Sequence, residues 1–298
     1  MKKESKLLKK YNRTGFLLCL PTILALLLSV YTLAYALLTS LNTNSGYLKG
    51  EFKFAGLDNY IKVLNNSKAI GAMGNTILYV VCTIIIEIAL ALLVSAALRK
   101  QVTGTSIFKL LIIVPMMMAP VATGAIWKWM YSDRYGIINY CLDKIGLEGP
   151  SWLGMPIPAK FAILIVSIWS ALPFSILILT AAIGAVSDGV IEAAKIDGAT
   201  DLQVYWNIIF PHLKPSVLLI LMIRIPDALR MYDLVYILTK GGPANSTQVV
   251  SYYIYQKGFG EMKFPEASAA SFILFIFIIG VTCFMNFIVK ERRKNNEA

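Results

Sequence analysis

The stretch EAAKIDGATDLQVYWNIIFP, residues 192–211, decides how this chain is read. It is polar, and it interrupts two long apolar runs. Gly198 supplies a residue free to take the backbone of a bend. Asp188 is expected to cap a short helix before it. Thr200, with Gln203 three residues on, forms a capping box that opens a second helix. Pro211 and Pro215 are expected to stop that second helix. Helical spacing places Leu202, Tyr205, Trp206 and Ile209 together along it. Such a set of residues suits two settings. It can anchor at a membrane interface, where Trp and Tyr concentrate, or dock into a partner's groove.

The runs on either side are long enough to cross a bilayer, for which about 20 apolar residues suffice. Across 298 residues, 57% are hydrophobic and 15% charged, against about 25% charged in an ordinary soluble domain. The class is therefore an all-α integral membrane protein. A β-barrel would show alternation of period two in segments of about ten residues, and these runs do not alternate. Six transmembrane helices are expected, near residues 16–38, 77–98, 107–130, 159–186, 216–238 and 267–289. The Lys-rich start followed by an apolar run superficially resembles a signal peptide. The run is about 23 residues, longer than the 7–15 of an h-region, so it reads as an uncleaved first span.

The net charge of +11 does not point to nucleic acid. The basic residues gather at helix ends: Lys2 to Arg13 before the first span, Arg99, Lys100 and Lys109 around the second link, and Lys290 to Lys294 after the last. That is the positive-inside pattern. It places both termini in the cytoplasm, puts loops 39–76, 131–158 and 239–266 outside, and makes loop 187–215 cytoplasmic. Cys19, Cys82, Cys141 and Cys283 have no CxxC or metal spacing, and three of them lie in apolar runs, so they read as small hydrophobes. No metal site, cofactor or catalytic residue is expected, and no nucleophile–base constellation is visible. The chain is not expected to be an enzyme.

Glu192-Ala193-Ala194, three residues, Gly198, nine residues and Ile208-Ile209-Phe210-Pro211 resemble the EAA signature of ABC-importer permeases, with Phe210 where that family has Leu. The resemblance extends along the chain. Phe54 to Tyr60 is similar to the "F-x-G-L-x-N-Y" segment of the carbohydrate-importing, maltose-permease-like subfamily, and Asn75-Thr76 to its opening of span two. Val114-Pro115, Trp127 to Met130, Tyr135 to Asn139 and Ile168-Trp169 also match. Tyr236 to Pro243 matches with Lys240 in place of a third glycine. The chain has the compact six-span form, without the enteric maltose permease's extra leading spans.

The resemblance implies a type I ABC-importer transmembrane fold in a bacterial cell membrane. Residues 1–70 would hold the tail, first helix and outer loop, 71–290 the importer domain with its coupling loop 187–215, and 291–298 a cytoplasmic tail. It implies a second homologous permease subunit, two ATPase subunits and an extracytoplasmic sugar-binding protein as partners, besides membrane lipid. The lack of GxxxxGK[ST] in this chain is consistent with ATP being held elsewhere. It assigns ATPase coupling to Glu192, Ala193, Ala194, Gly198, Tyr205, Trp206 and Pro211. Aligned back from Gly241-Gly242-Pro243, it places Arg224, Asp227, Ala228 and Met231 on a sugar path, with Trp169, Ser170 and Phe174 from span four and Met116 and Pro120 from span three. Arg224, Asp227 and Met231 replace the small and amide residues of the maltose permease itself, which leaves the sugar open; an oligosaccharide is expected.

Arg224, Asp227, Arg230 and Asp233 follow one another at i+3. Charges within a span face protein or a wet cavity. These four therefore form either a self-neutralising structural ladder or part of the path, and Pro226 among them frees a backbone carbonyl. Glu87 is a lone carboxylate in span two that either pairs with an arginine across the bundle or stays protonated. His212 is the only histidine and lies in the loop, so the spans hold no histidine proton relay. An ion-coupled secondary transporter, using the span-five charges, is the alternative function, and it leaves the EAA loop unexplained. The topology is tested by labelling introduced cysteines on intact cells. Reporter fusions or cysteine labelling should place residues 60, 145 and 250 outside and residue 198 inside; labelling of an introduced cysteine at 198 from the outer face contradicts six spans.

Overall fold

The computed structural model describes residues 2–99 and 105–297, with side-chain surroundings for 18–99, 107 and 110–290. The basic side chains from Lys2 to Arg13, Lys100, Lys109 and Arg292 to Lys294 lie outside that description. Among the described residues the chain is helical, apart from turns, loops and one isolated bridge between Asn42 and Phe54. The main helices are α1 (Lys2–Ser40), α2 (Ser67–Leu98), α3 (Thr105–Met117), α4 (Pro120–Met130), α5 (Pro156–Gly184), α6 (Asp188–Ile196), α7 (Asp201–Leu229), α8 (Asp233–Leu238) and α9 (Phe264–Glu297). Five of them carry a stretch long and apolar enough to cross a membrane, and α3 with α4 makes a sixth crossing if the bent pair is one span.

Three boundaries differ from the sequence reading, each for a local reason. The second span begins at Ser67 rather than near 77, capped by Asn66, whose side chain accepts from the Lys68 and Ala69 amides. Its first turns are polar and small, so hydropathy alone starts it late. Asn75 and Thr76 do not open the helix; they lie within it and tie it to a later segment. Asn75 Nδ2 donates to the Gln248 carbonyl at 3.0 Å, and the Val250 amide donates to Thr76 Oγ1 at 3.0 Å. The third span is broken: its halves meet at 105° around Met118 and Ala119. Ala119 sits at φ −62°, ψ 137°, the extended backbone that a following proline imposes.

The fifth span departs most. The helix opened by Thr200 does not stop at Pro211 or Pro215 but runs to Leu229. A π turn at Tyr205–Ile209 precedes Pro211, and the Phe210 amide reaches back five residues to the Tyr205 carbonyl. The wider turn makes room for a ring that would otherwise meet the carbonyl four residues back. The helix then ends at Leu229, with Arg230 at φ −94°, ψ 9°, and α8 begins after it. The four charges are therefore not one ladder, because Asp233 starts a separate helix.

The described chain divides into two compact units, residues 1–64 with 254–273 and residues 65–253 with 274–298. In the first, Gly56 turns in left-handed backbone and Asn59, 2% exposed, donates to the carbonyls of Ser40 and Asn42 at 2.8 and 2.9 Å. The buried Lys257 bridges Glu261 at 2.8 Å and Glu266 at 3.6 Å. In the second, α2 packs along α5. The seam is rich in small residues, with Ala72, Thr76, Thr83 and Ala91 buried on α2 and Ala159, Ala162, Ser167 and Ser175 on α5, which lets two backbones approach within a bilayer. α4 packs on α8. A Cβ added at Gly124 would stand 3.1 Å from two carbons of Ile237. Gly124→Leu is expected to lower the stability of the detergent-solubilised protein by about 1–3 kcal/mol, read as a fall in melting temperature. Adding Ile237→Ala should recover part of it, and an unchanged melting temperature in the single variant contradicts this packing.

Candidate functional site

A cavity of about 450 Å³ lies in the second unit. Its wall is built where the helices fail. Met118 comes from the break between α3 and α4, with Pro115 and Pro120 on either side of it, and Arg230, Met231 and Tyr232 from the break between α7 and α8. Irregular backbone at membrane depth is tolerated where it lines a cavity or is buried in protein, and both breaks meet that condition here. Of the residues expected on the path, Met116, Pro120, Ser170, Arg224, Asp227, Ala228 and Met231 line this cavity. Trp169 and Phe174 are not on its wall. Trp169 instead packs edge-on against Trp127, with ring centroids 5.5 Å apart.

Glu87 has a partner across the bundle. Fully buried on α2, it accepts from Arg224 Nε at 3.2 and 3.3 Å, one bond to each oxygen. Ser175 of α5 donates to the same carboxylate at 2.5 Å. Arg224 Nη1 bonds Asp227 on its other side. The exposures fix the order of importance: the Glu87 side chain is 0% exposed, Arg224 16% and Asp227 55%. The group that depends on Arg224 is thus Glu87, not Asp227, which faces the open cavity. Arg230 lies further off, 4.0 Å from Asp227, and its Nε donates to the Pro226 carbonyl at 3.3 Å.

Sequence reasoning missed Tyr79 and Thr83, which bring α2 to the cavity wall. An aromatic in an apolar run reads as packing, and Tyr79 is 1% exposed. Its hydroxyl and that of Ser170, both on the cavity wall, are buried without a hydrogen-bond partner among the described residues. A hydroxyl left so costs free energy.

The loop forms a second site. α6 begins at Asp188 after Ser187 at the cap position, without a side-chain cap bond, so Asp188 is its first residue rather than its cap. It closes with a bend at Gly198, φ +86°: the Gly198 amide donates to the Lys195 carbonyl at 3.1 Å and the Ala199 amide to that of Ala194 at 2.9 Å. This is the paired closure a left-handed glycine makes possible. The expected capping box is present at Thr200 and Gln203. The apolar residues then sort themselves. Ile191, Val204 and Ile209 are buried against Ala91, Ile176, Leu179 and Ile183, with Tyr205 and Ala194 packed at the edge. Val190, Ile196, Leu202 and Trp206 remain more than half exposed. Glu192, Ala193, Gly198 and Pro211 are also exposed.

Helices built to span a bilayer, broken around a cavity with charged side chains on a largely apolar wall and carrying a packed loop with an exposed apolar face, suit the transmembrane part of a transporter. Residues 88–294 match the family described as binding-protein-dependent transport system inner membrane component. The chain belongs to that family and is a multi-pass inner-membrane transport component. It is 33% identical to a probable ABC transporter permease protein y4oQ of Sinorhizobium fredii over 77% of this chain and 74% of that one. It is 30% identical to the trehalose/maltose transport system permease protein MalF of Thermococcus litoralis over 93% and 94%. In fold it is similar, with a TM-score of 0.84 and 20% identity over 95% of this chain and 96% of that one, to a chain of a bacterial ABC transporter involved in the import of the acidic polysaccharide alginate.

The cavity geometry makes unequal demands of its charges. Arg224→Ala should destabilise the protein by about 3 kcal/mol, because it strands a fully buried carboxylate. Asp227→Ala removes a solvated partner and should cost less than about 1 kcal/mol. Glu87→Gln combined with Arg224→Met should recover most of the loss. Denaturation of the purified protein checks the ranking, and equal losses for the two alanine variants contradict it.

Proposed function

We propose that this chain is the permease subunit of an ATP-driven, binding-protein-dependent importer of sugars, of oligosaccharide size. In this reading it forms half of the translocation path beside a second, related permease and is driven by two ATPase subunits. The names of relatives such as the trehalose/maltose permease support the sugar class.

The observation that carries the mechanism is the continuity of α7. One helix of 29 residues, roughly 40 Å long at 1.5 Å per residue, begins at the loop's capping box and ends at Arg224, Asp227 and Ala228 on the cavity wall. The loop half is fixed to α2 and α5 by buried apolar contacts. Its exposed residues, Leu202 and Trp206 with Ile196 and Val190, are the face offered to an ATPase groove. A movement of that groove on ATP closure then reaches the cavity through one rigid element. The ATPase can shift the two openings of the path only by binding their loop faces with different affinity. The ion-coupled alternative gives this exposed face no task.

Gly198→Arg forces a side chain into left-handed backbone, and Glu192→Lys reverses an exposed charge on α6. Both proteins should insert and retain Thr200-capped helix, while uptake and stimulation of ATP hydrolysis are lost in the assembled complex. Uptake and stimulated hydrolysis that survive both changes exclude the loop as the coupling site.

A further inference from the structure

The charges at the cavity wall do not cancel. Arg224, Asp227, Arg230 and Asp233 line it, and Glu87 stands directly behind Arg224 with both oxygens on its Nε. Three carboxylates therefore face two guanidiniums. The arginine that the resemblance sets on the sugar path is committed on both sides, to Glu87 within the protein and to Asp227 at the surface. Arg230 bonds the Pro226 carbonyl through Nε at 3.3 Å and lies 4.0 Å from Asp227, with its side chain 66% exposed, so it is the open cation of the wall. The acceptors that face the space are the exposed carboxylates of Asp227 and Asp233.

We propose that Glu87, acting through Arg224, sets the charge of this cavity, and that it does so to pass neutral sugars and disfavour anionic ones such as uronates and sugar phosphates. Glu87 touches no substrate; it is a positioning and charge-setting residue. With its carboxylate in place, Arg224 is neutralised and its fork is turned away from ligands. Without it, a second guanidinium with donors to spare joins Arg230 on the wall, where planar, bidentate recognition of a carboxylate or phosphate is favoured. That a sugar is the cargo rests on the function proposed above. The charge of the cavity does not, and the two are tested separately.

The direct test reads the potential at one cavity residue. Cys19, Cys82, Cys141 and Cys283 are replaced by serine or alanine, Met231→Cys is introduced at the wall, and the assembled complex is treated with methanethiosulfonates. The rate with the cationic ethyltrimethylammonium reagent is divided by that with the anionic ethylsulfonate reagent, each normalised to its rate with free 2-mercaptoethanol. The ratio should favour the cation. Glu87→Gln should move it about tenfold toward the anion, the scale of one unit charge acting across a partly wet cavity. Glu87→Asp should keep the original ratio, and Glu87→Gln with Arg224→Met should restore it. An unchanged ratio in Glu87→Gln overturns the proposal. Should that variant fail to assemble, Asp227→Asn adds the same charge from an exposed position and must shift the ratio in the same direction, or the proposal falls. The sugar arm compares uptake of maltotetraose and tetragalacturonate by the complete transporter with its binding protein. Preference for the neutral sugar, relaxed by Glu87→Gln, supports the assignment, and preference for the uronate in the unaltered protein overturns it. A shifted thiol ratio with neither sugar taken up upholds the charge assignment and contradicts the sugar reading.

Discussion

Glu87 on α2 and Arg224 on α7 meet where a membrane protein can least tolerate an unmatched charge. The carboxylate is fully buried, so it persists as a pair or at a cost of several kcal/mol. Its hydrogen bonds involve two helices besides its own: α7 through the guanidinium and α5 through Ser175. That requirement fixes the register of three helices against one another at the depth of the cavity. Small residues along the α2–α5 seam bring the backbones close enough for the bonds to form. Asp227 then continues the network from the protein interior to the cavity surface, so the same arginine that stabilises the bundle shapes the wall that a ligand meets.

The remainder of the second unit is arranged around the two ends of α7. At one end its first turns lie in an apolar nest with α6, α2 and α5, and at the other it breaks open at Arg230 beside the cavity. The break between α3 and α4 faces the same space. The breaks between α3 and α4 and between α7 and α8 lie where polar groups meet the cavity, as the bilayer demands.

Apolar runs made five of the spans legible, and a sixth if the bent α3–α4 pair is one span, because bilayer thickness sets a length that composition alone can satisfy. The loop was legible through chemistry of short range: the capping box at Thr200 and Gln203 and the bend at Gly198 involve neighbours within a few residues. What was hidden depends on partners or on helix phase. Pro211 reads as a stop until the π turn before it is seen, and that turn has no signature in composition. Ser67 to Thr76 is too polar to look membrane-bound, yet it is helical because Asn75 and Thr76 bond residues 248 and 250, far along the chain. Glu87 and Arg224 are 137 residues apart, and only the bundle brings them together. Tyr79 was passed over because nothing in its neighbours distinguishes a tyrosine on a cavity from one in a core. Trp169, which the resemblance set on the path, packs edge-on against Trp127.

The central claim, that the cavity is a path whose opening is switched through α7 by an ATPase docked on the loop, is tested most directly by access to one residue in two states. A single cysteine at Ser170 in the reconstituted complex is exposed to an impermeant thiol reagent from either face of the membrane. Labelling should come from the loop side in the nucleotide-free complex and from the opposite side once ATP is trapped with vanadate. A cysteine labelled from the same side in both states, or from neither, contradicts it.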